Sequence, residues 1–405
     1  MSATTEKQSQ AAPTRRVVLF TYGFRPFFLL AALDAAVNMG VWLAAYFHPG
    51  IWPAQAIPAM YWHAHEMLFG FATAAISGFL LTAVPGWTGR SSYSGAPLIF
   101  LVALWLAGRI AMAPLGVLPT TVASAIDLAF FPALTLILAP PLIRARKFRN
   151  LPFIGLLTVL FLANLFFHLG MNGVLDAGEH IGLGVALDIV AILIVIVGGR
   201  IIPAFTKSGL ASHGIVVQMQ ADRWIELLSI VSIVAVLVAD MIMPLSTLNG
   251  AVVLAAALAQ TFRLAQWQGH RTARYPLIWV LHLGYAWLAV GLLLKAIWLL
   301  TAASFAEKWI HALTIGAFTT MILAVMTRVS LGHTGRALIA PRNIAACYSL
   351  VTISALIRVF APAIFPAWYS EIVAVSGLLW IAAFGIFLWV YTPILAKPRA
   401  DGKPG

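Results

Sequence analysis

The chain contains a single cysteine, Cys347. One thiol excludes an intrachain disulfide, a CxxC redox pair and a thiolate metal cluster. Charge is also scarce: Asp, Glu, Lys and Arg make up 9% of the 405 residues, where a soluble domain carries roughly 25%. That is too little to coat a water-facing surface. No GxxxxGK[ST], HExxH or GxSxG pattern occurs, so nothing points to a P-loop, a zincin helix or a nucleophile elbow. No CxxCH is present to attach a haem covalently.

What is present is apolar. Hydrophobic residues make up 61% of the chain and the mean hydropathy is +0.94. A spanning helix needs about 20 apolar residues, because the hydrocarbon core is about 30 Å thick and each residue rises about 1.5 Å. The expected fold is therefore all-α, a polytopic membrane protein of about twelve transmembrane helices. The spans are expected at roughly 24–47, 62–84, 95–112, 120–143, 151–171, 180–199, 222–243, 247–265, 276–299, 305–328, 341–361 and 367–394, with spans 2, 6 and 10 able to run longer. Unbroken runs of this length argue against a β-barrel, whose strands would alternate. Residues 1–21 read as an N-terminal tail, 22–396 as one transmembrane domain and 397–405 as a C-terminal tail. The first apolar run is too long for a cleavable signal peptide and lacks a cleavage site.

Lys and Arg concentrate on the cytoplasmic side of a membrane. With the N-terminus inside, all of the 25 basic residues except Arg109, Lys295, Lys308 and Arg358 fall in the inner tails and loops. These include Lys7, Arg15 and Arg16 in the tail and Arg144, Arg146, Lys147 and Arg149 together in one loop. Both termini are expected to be cytoplasmic, in a bacterial inner membrane. The net charge of +12 then follows from loops that face anionic lipid headgroups, and calls for no nucleic acid.

The sequence repeats. Trp87-Thr88-Gly89-Arg90 aligns with His333-Thr334-Gly335-Arg336, and the same offset of 246 superposes His65 on His311, Gly70 on Gly316 and Thr73 on Thr319. Arg109 followed by Pro114 resembles Arg358 followed by Pro362, and Pro203-Ala204-Phe205-Thr206 echoes Pro85-Gly86-Trp87-Thr88. Three four-helix units are expected, the first and third the more alike. Functional sites in such proteins often lie where the copies meet.

The topology gives every histidine a depth. His63, His65, His168 and His311 fall in the outer half of the bundle; His180 is expected at the outer interface, and His282 with Tyr285 in the inner half. Imidazole is costly in hydrocarbon and needs a partner. It is also a common ligand of haem iron and copper. His63 and His65 lie about 200° apart on a helix, so they should serve different centres. His65 and His311, related by the repeat, are expected to be haem ligands, with His63 and His168 for copper or a second metal. Arg109 and Arg358 lie at similar depth and suit haem propionates, or else snorkel to outer headgroups. Asp34, Asn38, Glu66, Asp127, Asn164, Asp188 and Lys295 are further embedded polar groups. The acids among them suit acceptors that orient a histidine through its Nδ1–H, proton relays or plain helix–helix hydrogen bonds.

Several of these stretches also resemble the NnrS family. They include Tyr22-Gly23-Phe24-Arg25-Pro26-Phe27-Phe28-Leu29 and Trp62-His63-Ala64-His65-Glu66-Met67-Leu68-Phe69-Gly70-Phe71, then Asn164-Leu165-Phe166-Phe167-His168-Leu169-Gly170 and Gly198-Gly199-Arg200-Ile201-Ile202-Pro203. Leu281-His282-Leu283-Gly284-Tyr285-Ala286-Trp287, His311-Ala312-Leu313-Thr314-Ile315-Gly316 and the block from Met326 to Arg336 complete the set. One departure is Gly86, where the family usually has Asn. The resemblance implies a membrane protein containing haem and copper and linked to nitric oxide metabolism and nitrosative stress. It leaves the reaction open. The leading expectation is a protein that binds haem b and copper in the periplasmic half and binds or reduces nitric oxide, a small ligand soluble in membrane lipid. Reduction would need a quinol or another electron donor. A secondary transporter of haem, metal or a nitrogen oxide, and a membrane sensor or assembly factor without turnover, are the alternatives.

Overall fold

A computed structural model describes residues 17–53, 57–146, 148–219 and 222–403. Lys7, Arg15, Arg16 and Lys147, and the tail up to residue 16, lie outside the described residues. The described chain is helical with no strand. Twelve helical segments follow one another: α1 Phe24–Phe47, α2 Ala59–Thr88, α3 Ala96–Met112, α4 Thr120–Arg144, α5 Phe148–Met171, α6 Gly178–Ala211, α7 Arg223–Ile242, α8 Thr247–Ala265, α9 Pro276–Thr301, α10 Ser304–His333, α11 Arg342–Ile364 and α12 Pro366–Ala396. All but α3 are long and apolar enough to cross a membrane, and α3 has 17 residues. The second, sixth and tenth segments do run longer than the others' average need, at 30, 34 and 30 residues.

The packing follows three four-helix units. The first helix of each unit lies against the last helix of the unit before it: α5 on α4, α9 on α8 and, closing the ring, α1 on α12. The second helices, α2, α6 and α10, touch one another in the middle, and more than 70% of each one's most apolar stretch is buried. Lipid-facing side chains explain the exposed apolar residues elsewhere, such as Leu33, Val37 and Trp389. Arg25 ties the two chain ends together, donating to the carbonyls of Leu395 (2.6 Å) and Lys397 (2.9 Å). We call this the terminal end of the bundle, and the opposite one the far end.

The offset of 246 has a physical meaning. Both α2 and α10 open into a π-helical turn, over Glu66–Ala72 and Ala312–Thr319. Thr73 donates to the carbonyl of Leu68 at 3.1 Å and Thr319 to that of Thr314 at 2.9 Å, each five residues back. Both helices end on a glycine in the left-handed region, Gly89 (φ 68°) and Gly335 (φ 70°). The next amide then reaches back over the end of the helix, Arg90 to Pro85 and Arg336 to Leu331, both 3.0 Å. This cap satisfies carbonyls that a helix end otherwise leaves free, and glycine takes the conformation without Cβ strain. The end of α6 repeats it at Gly214 (φ 76°), with Ile215 donating to Leu210. The third helix of each unit carries an ionisable residue just before a proline: Arg109 before Pro114, Asp240 before Pro244, Arg358 before Pro362.

Candidate metal centre

At the far end, α2 is pressed against α3, α4 and α5 by a largely buried polar cluster. His65 is 0% exposed. Its Nδ1 faces Glu66 Oε1 at 3.1 Å, and its Nε2 faces Asn164 Oδ1 at 3.0 Å and Asp127 Oδ2 at 3.3 Å. His168, from α5, brings its Nε2 to the same Asp127 Oδ2 at 2.9 Å. Asn164 donates to that oxygen as well, at 2.7 Å. Phe69 and Phe167 pack on the His65 ring and close it off. Such a group costs too much in an apolar core unless every member has partners.

Arg109, from α3, completes the cluster. It donates to Glu66 Oε1 at 2.7 Å and to Asp127 Oδ1, with Trp105 beneath its guanidinium. Asn38 joins α1 to the site, donating to Asp34 Oδ1 (2.9 Å) and Glu66 Oε2 (3.2 Å). Asp34, Glu66 and Asp127 make three carboxylates against one guanidinium. Room for them depends on Gly70, where a Cβ would lie 2.8 Å from Asp34 Oδ2 and 3.0 Å from Arg109 Nη1. The π turn beginning at Glu66 is what widens α2 here, and such turns often mark functional sites.

His65, Asp127 and His168 each offer one ligand atom, and the three atoms lie within 4.8 Å of one another. Two imidazoles and a carboxylate are an N,N,O donor set that suits Cu(II), Zn(II) or Fe(II). The separations of 2.9 and 3.3 Å match ligands about 2 Å from a small first-row ion. His65 Nδ1 on Glu66 is the outer-shell partner that fixes a ligating imidazole. The residues fit such a metal.

The third unit holds a second cluster of different charge. His63 leaves α2 on the other side and stacks on Trp42, ring centroids 4.7 Å apart. His311 from α10 lies within electrostatic range of His63, Arg358 and Lys308. Arg358 from α11 donates to the Tyr369 hydroxyl at 3.0 Å and lies over that ring. Three buried atoms here have no partner among the described residues: His63 Nδ1, His311 Nδ1 and Arg358 Nη1. The position that matches Glu66 in the repeat is Ala312. The first-unit arginine is thus held by carboxylates, whereas among the described residues Arg358 has none within ion-pairing distance. Free imidazole nitrogens beside a free guanidinium nitrogen are the donors that haem b takes, for iron and for a propionate. The apolar cavity between α2, α6 and α10, lined by Phe79, Met321 and Met326 among others, has about 80 Å³. It is too small for a porphyrin.

The four histidines are therefore sorted differently from the expectation. His65 pairs with His168, and His63 is grouped with His311. His63 and His65 leave α2 toward different clusters, His63 to Trp42 and His65 to Glu66 and Asn164. Arg109 points both terminal nitrogens at protein carboxylates, and its depth in the bundle alone gives no sign of them. Glu66, Asp127 and Asn164 stood out only as embedded polar residues; Trp42 and Tyr369 carried no sequence signal. His180, at the start of α6, has a side chain 67% exposed and meets the Tyr61 hydroxyl at 2.9 Å. His282 and Tyr285 belong to separate networks: His282 meets Thr206 at 2.8 Å, while Tyr285 donates to Gln260 and accepts from Arg263. Gly86 has open space where a Cβ would stand, so the missing Asn leaves no packing defect.

The family described as NnrS protein matches residues 18–399. No curated protein matches the chain.

Proposed function

The chain belongs to the NnrS family, multi-pass membrane proteins linked to nitric oxide metabolism, and from that premise we propose that it is a metalloprotein that binds nitric oxide at the far end of the bundle. In this reading the far end is periplasmic and both termini are cytoplasmic, as the distribution of Lys and Arg favours. The observation that carries the reading is the convergence of His65, Asp127 and His168 on one point. These three would hold copper. His63 and His311 would ligate haem b, and Arg358 would hold a propionate.

Bound there, the metals would supply a site for a neutral diatomic ligand, and electron transfer if a quinol or another donor delivers electrons. The chain's own part is clearer. Glu66 would hold His65 Nδ1–H and so orient that imidazole toward the metal. Arg109 donates to both Asp127 and Glu66 and so holds the two side chains in place in an apolar core. Phe69 and Phe167 exclude water from His65. Nitric oxide is small, uncharged and lipid-soluble, so it can enter from the bilayer without a water channel.

Metal analysis with optical spectra of the detergent-solubilised protein tests this. Red protein with a His-ligated Soret band and bound copper supports it. Colourless, metal-free protein that takes up substrate in liposomes would favour a secondary transporter, a reading to which the pseudo-symmetric packing of the three units also lends itself.

A further inference from the structure

The second helices of the three units meet around the apolar cavity of about 80 Å³. The repeat sets its walls. The match of Pro203 with Pro85 fixes an offset of 118 between α2 and α6, as 246 relates α2 to α10. At those offsets Ile76, Ile194 and Ile322 are one position, and Phe79, Val197 and Val325 are another. All six line the cavity. It therefore lies on the axis that relates the three units, where sites in repeat-built membrane proteins are often found.

The same face of each helix continues toward the terminal end of the bundle. One turn on, Ala83, Ile201 and Val329 are half-buried, and a further turn on Gly86, Ala204 and Gly332 are exposed. Steps of three and four residues keep these positions in line. The last position is glycine or alanine in every unit, and a Cβ at Gly86 would meet nothing within 4 Å. The graded exposure marks a way in along the axis, at the end away from the histidine clusters.

Every residue that lines the cavity is apolar. A buried water needs about two to four polar partners, so the cavity stays dry. Dry apolar cavities of about 150 Å³ take benzene or xenon. At about half that size, this one has room for a xenon-sized guest and none for an aromatic ring. The space exists because α2 has Ala75 where α6 has Leu193 and α10 has Met321, and all three are wall residues.

We propose that the axial cavity binds one small, neutral, apolar molecule, of the size of a dissolved diatomic gas. Its occupancy needs no bound metal. Nitric oxide belongs to this class; that identity, unlike the site, rests on the function proposed above. Ala75 and Met321 each follow a histidine, His65 and His311, by ten residues, roughly 15 Å along a helix. A molecule held here stands at like depth below both histidine clusters.

Xenon is the probe. Crystals of the full-length protein are pressurised with xenon, and its anomalous signal is mapped. One xenon should lie between Ile76, Ile194 and Ile322. Ala75→Leu should empty the site. Ile322→Ala, which enlarges it, should keep xenon and admit benzene. Xenon bound by protein that holds neither copper nor haem would leave the cavity assigned and remove the case for nitric oxide as its guest. No xenon on the axis of the unaltered protein overturns the proposal, as does full occupancy in Ala75→Leu. Elongated density on the axis before pressurisation also overturns it, because the occupant is then a lipid or detergent chain.

Discussion

Replacing Arg109 by methionine keeps most of the side-chain volume and removes the cation from the first-unit cluster. The structure sets the size of the effect. Arg109 donates to Glu66 and to Asp127, which are 2% and 3% exposed. Each charge-assisted bond contributes about 1.5–3 kcal/mol net. Removing one partner of a buried ion pair costs about 3–5 kcal/mol, because the other charge is left in an apolar core. At roughly 2–4 °C per kcal/mol, Tm should fall on the order of 10 °C. The chain carries its own probe: Cys347 is wholly buried, so a thiol-reactive fluorophore reports unfolding of the solubilised protein. Asp127→Asn in the Arg109→Met background should cost much less than Asp127→Asn alone, since the orphaned charge is then already neutral. An unchanged Tm in Arg109→Met, or strictly additive losses in the double variant, would refute the electrostatic account of this cluster.

Further outcomes follow from other positions. Gly70→Ala forces a Cβ against Asp34, Arg109 and Glu66 and should lower both Tm and copper retention, whereas Gly86→Ala, with open space around it, should change neither. The C-terminal strap is held by Arg399, which donates to Asp401 and to the His333 carbonyl (2.9 Å); the Arg399 hydrogen bonds hold the Asp401 carboxyl down to about 2. A lowered carboxyl contributes above its ordinary value and stops contributing as pH falls through its folded value. Protease cleavage of the strap should therefore be flat between about pH 7 and 5, and faster at all these values in Arg399→Ala. A reporter fused after Lys403 should be cytoplasmic and one inserted at Gly173 periplasmic; reversed signals would invert the proposed topology.

The helices were legible because hydrocarbon thickness fixes their length. The repeat was legible because the cap at Gly89 and Gly335 and the threonine bonds at Thr73 and Thr319 each demand particular residues. Partner choice was not. Depth puts His63, His65, His168 and His311 in one layer, but which helices are neighbours decides which imidazoles meet. Contact of α2 with α5 sends His65 to His168, and the position of α1 beside α2 gives His63 to Trp42. The place of Asp240 in the repeat was legible in principle. It sits before Pro244 as Arg109 and Arg358 sit before theirs, yet a charge reversal hides the correspondence from residue matching.

The central claim is that two histidine pairs hold two different metals. Copper and haem content, measured together on His65→Ala, His168→Ala, His63→Ala and His311→Ala, tests it most directly. The account predicts that His65→Ala and His168→Ala lose copper and keep the haem band, while His63→Ala and His311→Ala lose or shift the haem band and keep copper. Loss of haem on changing His65 or His168 with copper retained, or full retention of both metals in all four variants, would contradict it.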